Sequence, residues 1–328
     1  MSDIGLLGFG RALPARVRTN DDPVFAELEG DRSTEAAFFA GTDERRVLAP
    51  DEAIEDFMIE AGRAALDDAG VRPEQIDRVY GYAFVSEYSS PNGLYLVHHG
   101  LGLDPRAMVV PINAEFSNFI TSVTLAWEAI AAGRARHVLV VCGSSMSRHV
   151  AYSSGHSVSV GDGAGAVVVG PSPRFRVLDH ESRTLSDAFD VMNMKPRPFG
   201  RPGARRVAVD GEGMALPTYE MRESAMQVVM KQGAEVPPEM VAALLARNGV
   251  EPAQVALVTH QPARALMDHW QRAIGPAEYF DTYDRYGNVA LASVPITLAE
   301  THGRMTAPYL VLASPGTGTH FAALLLRR

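Results

Sequence analysis

Residues 109–132 read VVPINAEFSNFITSVTLAWEAIAA, and Gly133 follows. Residues 109–112 are a short apolar run of strand character, and residues 117–132 carry a helical pattern that Gly133 stops. A strand that turns into a helix within a few residues is the repeating unit of an α/β sheet. The same rhythm extends in both directions. Upstream, residues 4–8 read as a short buried strand, and Pro14 and residues 19–22 as loop. Residues 51–68 read as a helix capped by Asp51 or Glu52. Ile54, Met58, Ala61 and Leu66 fall near helical spacing there, and Gly70 is the stop. Residues 78–84 and 137–142 are strand candidates, and the strand at 164–169 follows a glycine-rich turn.

Downstream, residues 190–209 are rich in Pro, Gly and Arg and read as a loop between two halves, 1–172 and 173–328. The pattern then predicts a helix over 218–232, with Pro217 at its start and Pro237-Pro238 beyond its end. A strand at 255–259, helices at 262–274 and 293–302, and strands at 309–313 and 321–326 complete the chain. Strands alternating with helices predict an α/β fold with parallel pairing and a sheet covered on both faces.

At 328 residues the chain can bury two cores or one large duplicated domain. Apolar residues make up 46% and charged residues 21%, an ordinary globular composition. The net charge of −9 and the lack of a basic stripe argue against nucleic acid. A single cysteine, Cys142, allows no intrachain disulfide and fits a reducing compartment. The N-terminal MSDIGLLGFG has neither a basic segment nor a long apolar one, and no apolar run reaches the roughly 18 residues of a membrane helix. The expectation is a cytoplasmic protein with no membrane partner. His98-His99, His149 and His156 lack zinc spacing and paired cysteines, so no metal is expected, and these histidines read as core or surface residues.

Four stretches can carry chemistry: Ile112-Asn113-Ala114-Glu115-Phe116-Ser117-Asn118-Phe119; Gly161-Asp162-Gly163-Ala164-Gly165-Ala166; Thr259-His260-Gln261-Pro262; and Tyr286-Gly287-Asn288. Ser314-Pro315-Gly316-Thr317-Gly318 adds a glycine turn near the C-terminus. The first glycine stretch lacks the Lys-Ser/Thr of a phosphate loop and reads as close backbone packing.

In order and separation these stretches, with Leu13-Pro14, Arg18-Thr19-Asn20 and Asp43-Glu44-Arg45-Arg46, resemble the thiolase superfamily, specifically its ketoacyl-ACP synthase III group. The resemblance covers nearly the whole chain. It implies a thiolase-like, duplicated αβαβα five-layer fold and a homodimer. It implies a site between the halves built from a cysteine, a histidine and an asparagine, acting on acyl thioesters. His260 and Asn288 match two of those positions, whereas Phe116 stands where the cysteine is expected. A phenyl ring cannot be acylated. Cys142 ends an apolar strand and reads as a buried core thiol.

Ser117 is either a first-turn or N-cap hydroxyl or a relocated nucleophile. Glu115 is a base, a charge that repels substrate carboxylates, or a partner of a nearby donor. His260 either takes a proton from an acceptor or donates with Asn288 to an oxyanion. Backbone N–H groups near Gly316 and Gly318 are the expected third donor. With Phe116 and Glu115, these two glycines are the substrate-binding candidates. At the cofactor end, Glu35 and Phe39 occupy the positions where the family keeps a tryptophan and an arginine for the CoA nucleotide, ahead of Gly41-Thr42-Asp43-Glu44-Arg45. No permanent cofactor is expected. An acyl-CoA or acyl-ACP pantetheine thioester would be the substrate, with acyl carrier protein as a partner.

The leading reading is cysteine-independent acyl transfer to a hydroxyl or amine, in secondary metabolism. The alternatives are a catalytically silent subunit paired with a cysteine-bearing homologue, and an enzyme that decarboxylates or condenses malonyl thioesters.

Overall fold

The computed structural model describes residues 3–28, 32–88, 90–195, 218–222 and 224–328. Its strands are β1 (Ile4–Ala12), β2 (Val17–Thr19), β3 (Glu44–Arg46), β4 (Arg78–Phe84), β5 (Met108–Pro111), β6 (Val138–Ser144) and β7 (Gly163–Pro171). They continue as β8 (Arg176–Thr184), β9 (Met192–Lys195), β10 (Thr218–Met221), β11 (Val255–Thr259), β12 (Glu278–Phe280), β13 (Tyr309–Gly316) and β14 (His320–Arg327). The α-helices are α1 (Arg32–Phe39), α2 (Ile54–Ala69), α3 (Leu94–Gly100), α4 (Asn118–Ala131) and α5 (Ala225–Val228). After them come α6 (Ala234–Asn248), α7 (Arg264–Ile274), α8 (Tyr283–Tyr286) and α9 (Ser293–Thr301).

Ten strands hydrogen-bond in the order β12-β11-β13-β14-β8-β1-β7-β6-β4-β5. Read inward from either edge, two parallel pairings are followed by two antiparallel ones. The halves meet where β1 pairs with β8 at Gly5 and Arg176. This is duplication visible in the hydrogen bonding, and the change from one half to the other falls between the end of β7 at Pro171 and the start of β8 at Arg176. The expected parallel pairing holds for the two outer pairs at each edge and is corrected at the inner pairs, which are antiparallel. β13 and β14 are joined by only Thr317–Thr319, and β6 and β7 by short 3-10 turns. Neither link is the helical crossover that a parallel pair needs.

Three clusters define the layers. Between the half-sheets, Phe119, Ile120, Val123 and Ala126 of α4 and Val294 and Leu298 of α9 pack on Val138, Val140 and Cys142 from one side and Leu310, Leu312 and Leu324 from the other. The alternate residues of the same strands face outward. Leu139 and Val141 meet α2 and α3, while Val311, Ala323 and Leu325 meet α6 and α7. The result is the five-layer αβαβα arrangement that the resemblance implies. Each fully buried aliphatic side chain in it is worth about 1.5–3 kcal/mol.

Several sequence expectations are corrected. Ala53, not Asp51 or Glu52, precedes α2, and it makes no side-chain cap; Glu52 instead accepts from the Ala49 N–H at 2.7 Å. Gly70 does close that helix in the left-handed conformation. Thr19 belongs to β2, paired with Glu44 of β3. The predicted 190–209 loop contains β9, and its residues 196–209, like Pro217, lie outside the described residues.

The predicted helix over 218–232 begins instead as β10, paired with β9. The chain turns helical at α5, widens into a π turn over Val229–Gly233, and runs on through α6 with Pro237 and Pro238 inside. Pro237 has no N–H for the Gly233 carbonyl four residues back. That carbonyl accepts from the Trp270 indole of α7 at 2.9 Å, so the proline does not strand a buried acceptor.

Candidate active site

The turn between β5 and α4 holds two successive non-glycine residues in left-handed conformation, Glu115 (φ 49°) and Phe116 (φ 75°). Each costs roughly 1–2 kcal/mol, so the turn needs a lock. Asn118 supplies one side of it, accepting from the Phe116 N–H at 2.7 Å and donating to the Ile112 carbonyl at 2.9 Å. The end of β13 supplies the other. Ser314 donates to the Phe116 carbonyl and Ser117 donates back to the Ser314 carbonyl, each at 3.0 Å. Gly316 lies against the same turn, and a Cβ there would fall 1.7 Å from the Glu115 carbonyl oxygen. The Glu115 carboxylate accepts from Asn113 at 2.9 Å and Thr317 at 2.7 Å.

His260 directly follows β11 and is only 3% exposed. Its N–H donates to Ala313 of the neighbouring strand at 2.9 Å, and Gln261 anchors the next position through Thr297 and the Thr282 N–H. The imidazole stacks on Phe116 with centroids 5.8 Å apart and planes inclined by 25°. Its Nδ1 is buried without a hydrogen-bond partner among the described residues. Burial pushes the pKa down to about 4, against a smaller upward pull from the Ala290 carbonyl. At neutral pH the ring is therefore uncharged.

Asn288 is held by its backbone, which donates to Ser159 at 2.7 Å and accepts from Gly161 at 3.0 Å. Gly287 lets the chain pass there: its φ is +64°, and a Cβ would lie 2.1 Å from the Ser159 carbonyl. The Asn288 Oδ1 accepts from the Ala290 N–H at 2.9 Å. The side-chain N–H groups are then the ones left to donate.

Phe116, His260, Asn288 and Gly316 line one largely apolar cavity. Glu115 and Gly318 line a neighbouring one, and Phe116, Tyr219 and Thr317 border both. Ser117 is fully buried and lines neither cavity. It occupies the N-cap position of α4 without making a side-chain cap, and its hydroxyl goes to Ser314 rather than His260. The Phe116 N–H is likewise taken, by Asn118. Cys142 is fully buried, with its thiol pKa pushed up to about 12 by desolvation. In the glycine turn, buried Asp162 accepts from the N–H groups of Leu48 and Ser147, which fits the packing role expected there. No group of metal-binding side chains occurs among the described residues. No helix among them is long and apolar enough to cross a membrane.

The family described as 3-oxoacyl-[acyl-carrier-protein (ACP)] synthase III matches residues 111–186, and its C-terminal part matches residues 245–328. The β-ketoacyl-[acyl-carrier-protein] synthase III of Roseiflexus sp. (strain RS-1) is 31% identical, over 98% of this chain and 97% of the relative. The chain belongs to the 3-oxoacyl-[acyl-carrier-protein] synthase III family. The Aquifex aeolicus VF5 synthase III structure superposes with a TM-score of 0.83 at 24% identity, covering 99% of this chain and all (100%) of the other. The priming β-ketosynthase of the R1128 polyketide pathway gives 0.85 at 24%, covering 99% and 96%. At that identity the likenesses establish the shared thiolase-like fold.

In this synthase III family member, sequence reasoning missed one pair. His156 is 4% exposed and lines the His260 cavity. Glu35, on α1, accepts from both its Nδ1 and its backbone N–H, each at 3.2 Å. Hydrogen bonding from His156 holds the Glu35 carboxyl below its usual range. Phe39 packs edge-on to the same imidazole at 6.3 Å. The two partners are 121 residues apart, so no local pattern links them. The available signal was the acid and the aromatic that the resemblance assigned to the family's nucleotide end.

Proposed function

We propose that the protein is an acyltransferase that moves an acyl group from a CoA or carrier-protein thioester to a hydroxyl or amine without forming an acyl-cysteine. The observation that carries the reading is the meeting of His260 and Asn288 at one cavity beside Phe116, a side chain with no nucleophilic atom. A neutral His260 is a hydrogen-bond donor and, with its depressed basicity, a poor proton acceptor at pH 7. Asn288, its carbonyl oxygen engaged, is also a donor. Together they offer two N–H groups to a thioester carbonyl oxygen as negative charge develops there. Both are held on backbone that need not reorganise.

Phe116 takes the position from which the family's cysteine would attack, so the acceptor itself must attack the carbonyl carbon. The C–S bond then breaks, and the thiol leaves on its pantetheine arm. We read Ser117 as a structural hydroxyl, because its proton is committed to Ser314. The relatives named β-ketoacyl-[acyl-carrier-protein] synthase III support a carrier-protein substrate, and the resemblance supports a homodimer.

The test is intact-protein mass spectrometry during turnover of octanoyl-CoA or an octanoyl carrier protein with alcohol and amine acceptors. Ester or amide should accumulate while the protein keeps its unmodified mass. A stable acyl adduct on Ser117 would replace this mechanism with a covalent one. Carbon dioxide release from a malonyl thioester, lost in His260→Ala, would replace transfer with decarboxylation.

A further inference from the structure

Resting on the transfer reading, the arrangement of Glu35 and His156 supplies what His260 lacks. Attack by a hydroxyl requires somewhere for its proton to go. His260 lies in an apolar pocket against Phe116 and has no carboxylate partner among the described residues. His156 is the other histidine of the same cavity, and its environment is the reverse. Its Nδ1 faces a carboxylate, which fixes the tautomer that carries the proton on Nδ1 and leaves the lone pair on Nε2. That Nε2 is buried and has no partner among the described residues, an uncommon state for a polar atom in a folded interior. The ring is oriented by Tyr219 at 5.7 Å, and Tyr219 in turn lies 6.0 Å from Phe116. His156 and the His260–Asn288 pair therefore border one chamber, with Glu35 behind the His156 ring.

We propose that His156, held by Glu35, is the general base that takes the acceptor's proton. As the acceptor oxygen bonds to the thioester carbon, its O–H bond breaks and the proton passes to Nε2. Glu35 stabilises the imidazolium through Nδ1–H. When the C–S bond breaks, the departing sulfur takes that proton and leaves as the thiol, returning His156 to its starting state.

The experiment compares two acceptors, 1-butanol and hydroxylamine, with S-octanoyl-N-acetylcysteamine as donor. Hydroxylamine attacks thioesters as a neutral amine and does not need its proton removed first. His156→Gln should lower butanol transfer about 100- to 1,000-fold and change hydroxylamine transfer by less than about threefold. Glu35→Gln should show the same selectivity with a smaller loss, and it stands in should the His156 variant not fold. His260→Ala should lower transfer to both acceptors. Equal losses for the two acceptors in His156→Gln, or none for either, would overturn the dyad while leaving the transfer reading intact. A wild-type protein that acylates neither acceptor would sink the transfer reading, and the dyad with it.

Discussion

Lowering the pH should destabilise the folded protein through His260, and the size of the effect follows from its burial. An unfolded histidine titrates near 6.5, whereas burial holds the folded one near 4. Between those values the unfolded chain binds a proton that the folded chain refuses. Stability is therefore complete above about pH 6.5 and falls as the pH drops toward 4. The linkage relation gives a loss of about 2 kcal/mol between pH 8 and pH 5, rising to about 3 kcal/mol at pH 4. Other groups titrate in this window: burial lowers the His137 and His320 pKa values as well. The informative quantity is thus the difference between wild type and His260→Gln, which cannot titrate. Urea unfolding at pH 8 and pH 5, followed by tryptophan fluorescence, measures it. The wild type should lose about 2 kcal/mol more than the variant, whatever the variant's stability at pH 8. Losses that agree within about 0.5 kcal/mol would mean that His260 protonates as readily in the folded state as in the unfolded one, and would end the claim that it is a poor proton acceptor.

Two further outcomes probe the turn. Phe116→Cys should give an octanoyl adduct on residue 116 with octanoyl-CoA, detected by intact mass, while costing about 2–4 kcal/mol for the lost buried ring; a folded variant that forms no adduct would mean His260 and Asn288 are not arranged around that position. Gly316→Ala should lower stability by several kcal/mol, more than overpacking usually costs (~1–3 kcal/mol), because its methyl meets backbone. Gly318→Ala should cost only about 1–2 kcal/mol, since its φ is +68° but no atom lies within 4 Å of a Cβ there; equal shifts in melting temperature would refute the steric account.

What the sequence made legible was what local chemistry decides. The strand at 78–84 and the strand at 255–259 appear with the predicted bounds, because an apolar run between turn signals has few other uses. Gly70 ended α2 as expected. Residues 218–232 failed because long-range pairing with β9 outweighed a local helical pattern. Pro237-Pro238 misled because the partner that relieves the Gly233 carbonyl, Trp270, is remote in sequence. The same limit applies at the candidate site. His260 and Asn288 could be named from motif order, but the Glu35–His156 pair exists only through space.

On the proposed reading, in which Phe116 stands where the family keeps its cysteine, the turn explains how a missing nucleophile changes the duty of its neighbours. The backbone there keeps two left-handed residues, although a side chain without chemistry gains nothing from a strained presentation. The locking contacts from Asn118, Ser314 and Gly316 belong to the junction between β13 and the β5–α4 turn, so the strain is tied to the packing of the halves. What the turn now presents to His260 is an aromatic face. That face excludes water from one side of the imidazole, and desolvation is the largest cause of its depressed pKa. An imidazole of such low basicity is a weak base at neutral pH and keeps its use as a donor. On that reading the same apolar wall would limit the water that could hydrolyse a bound thioester. Proton removal then has to be assigned elsewhere in the chamber, to an imidazole with a carboxylate behind it, and Glu35–His156 has that form.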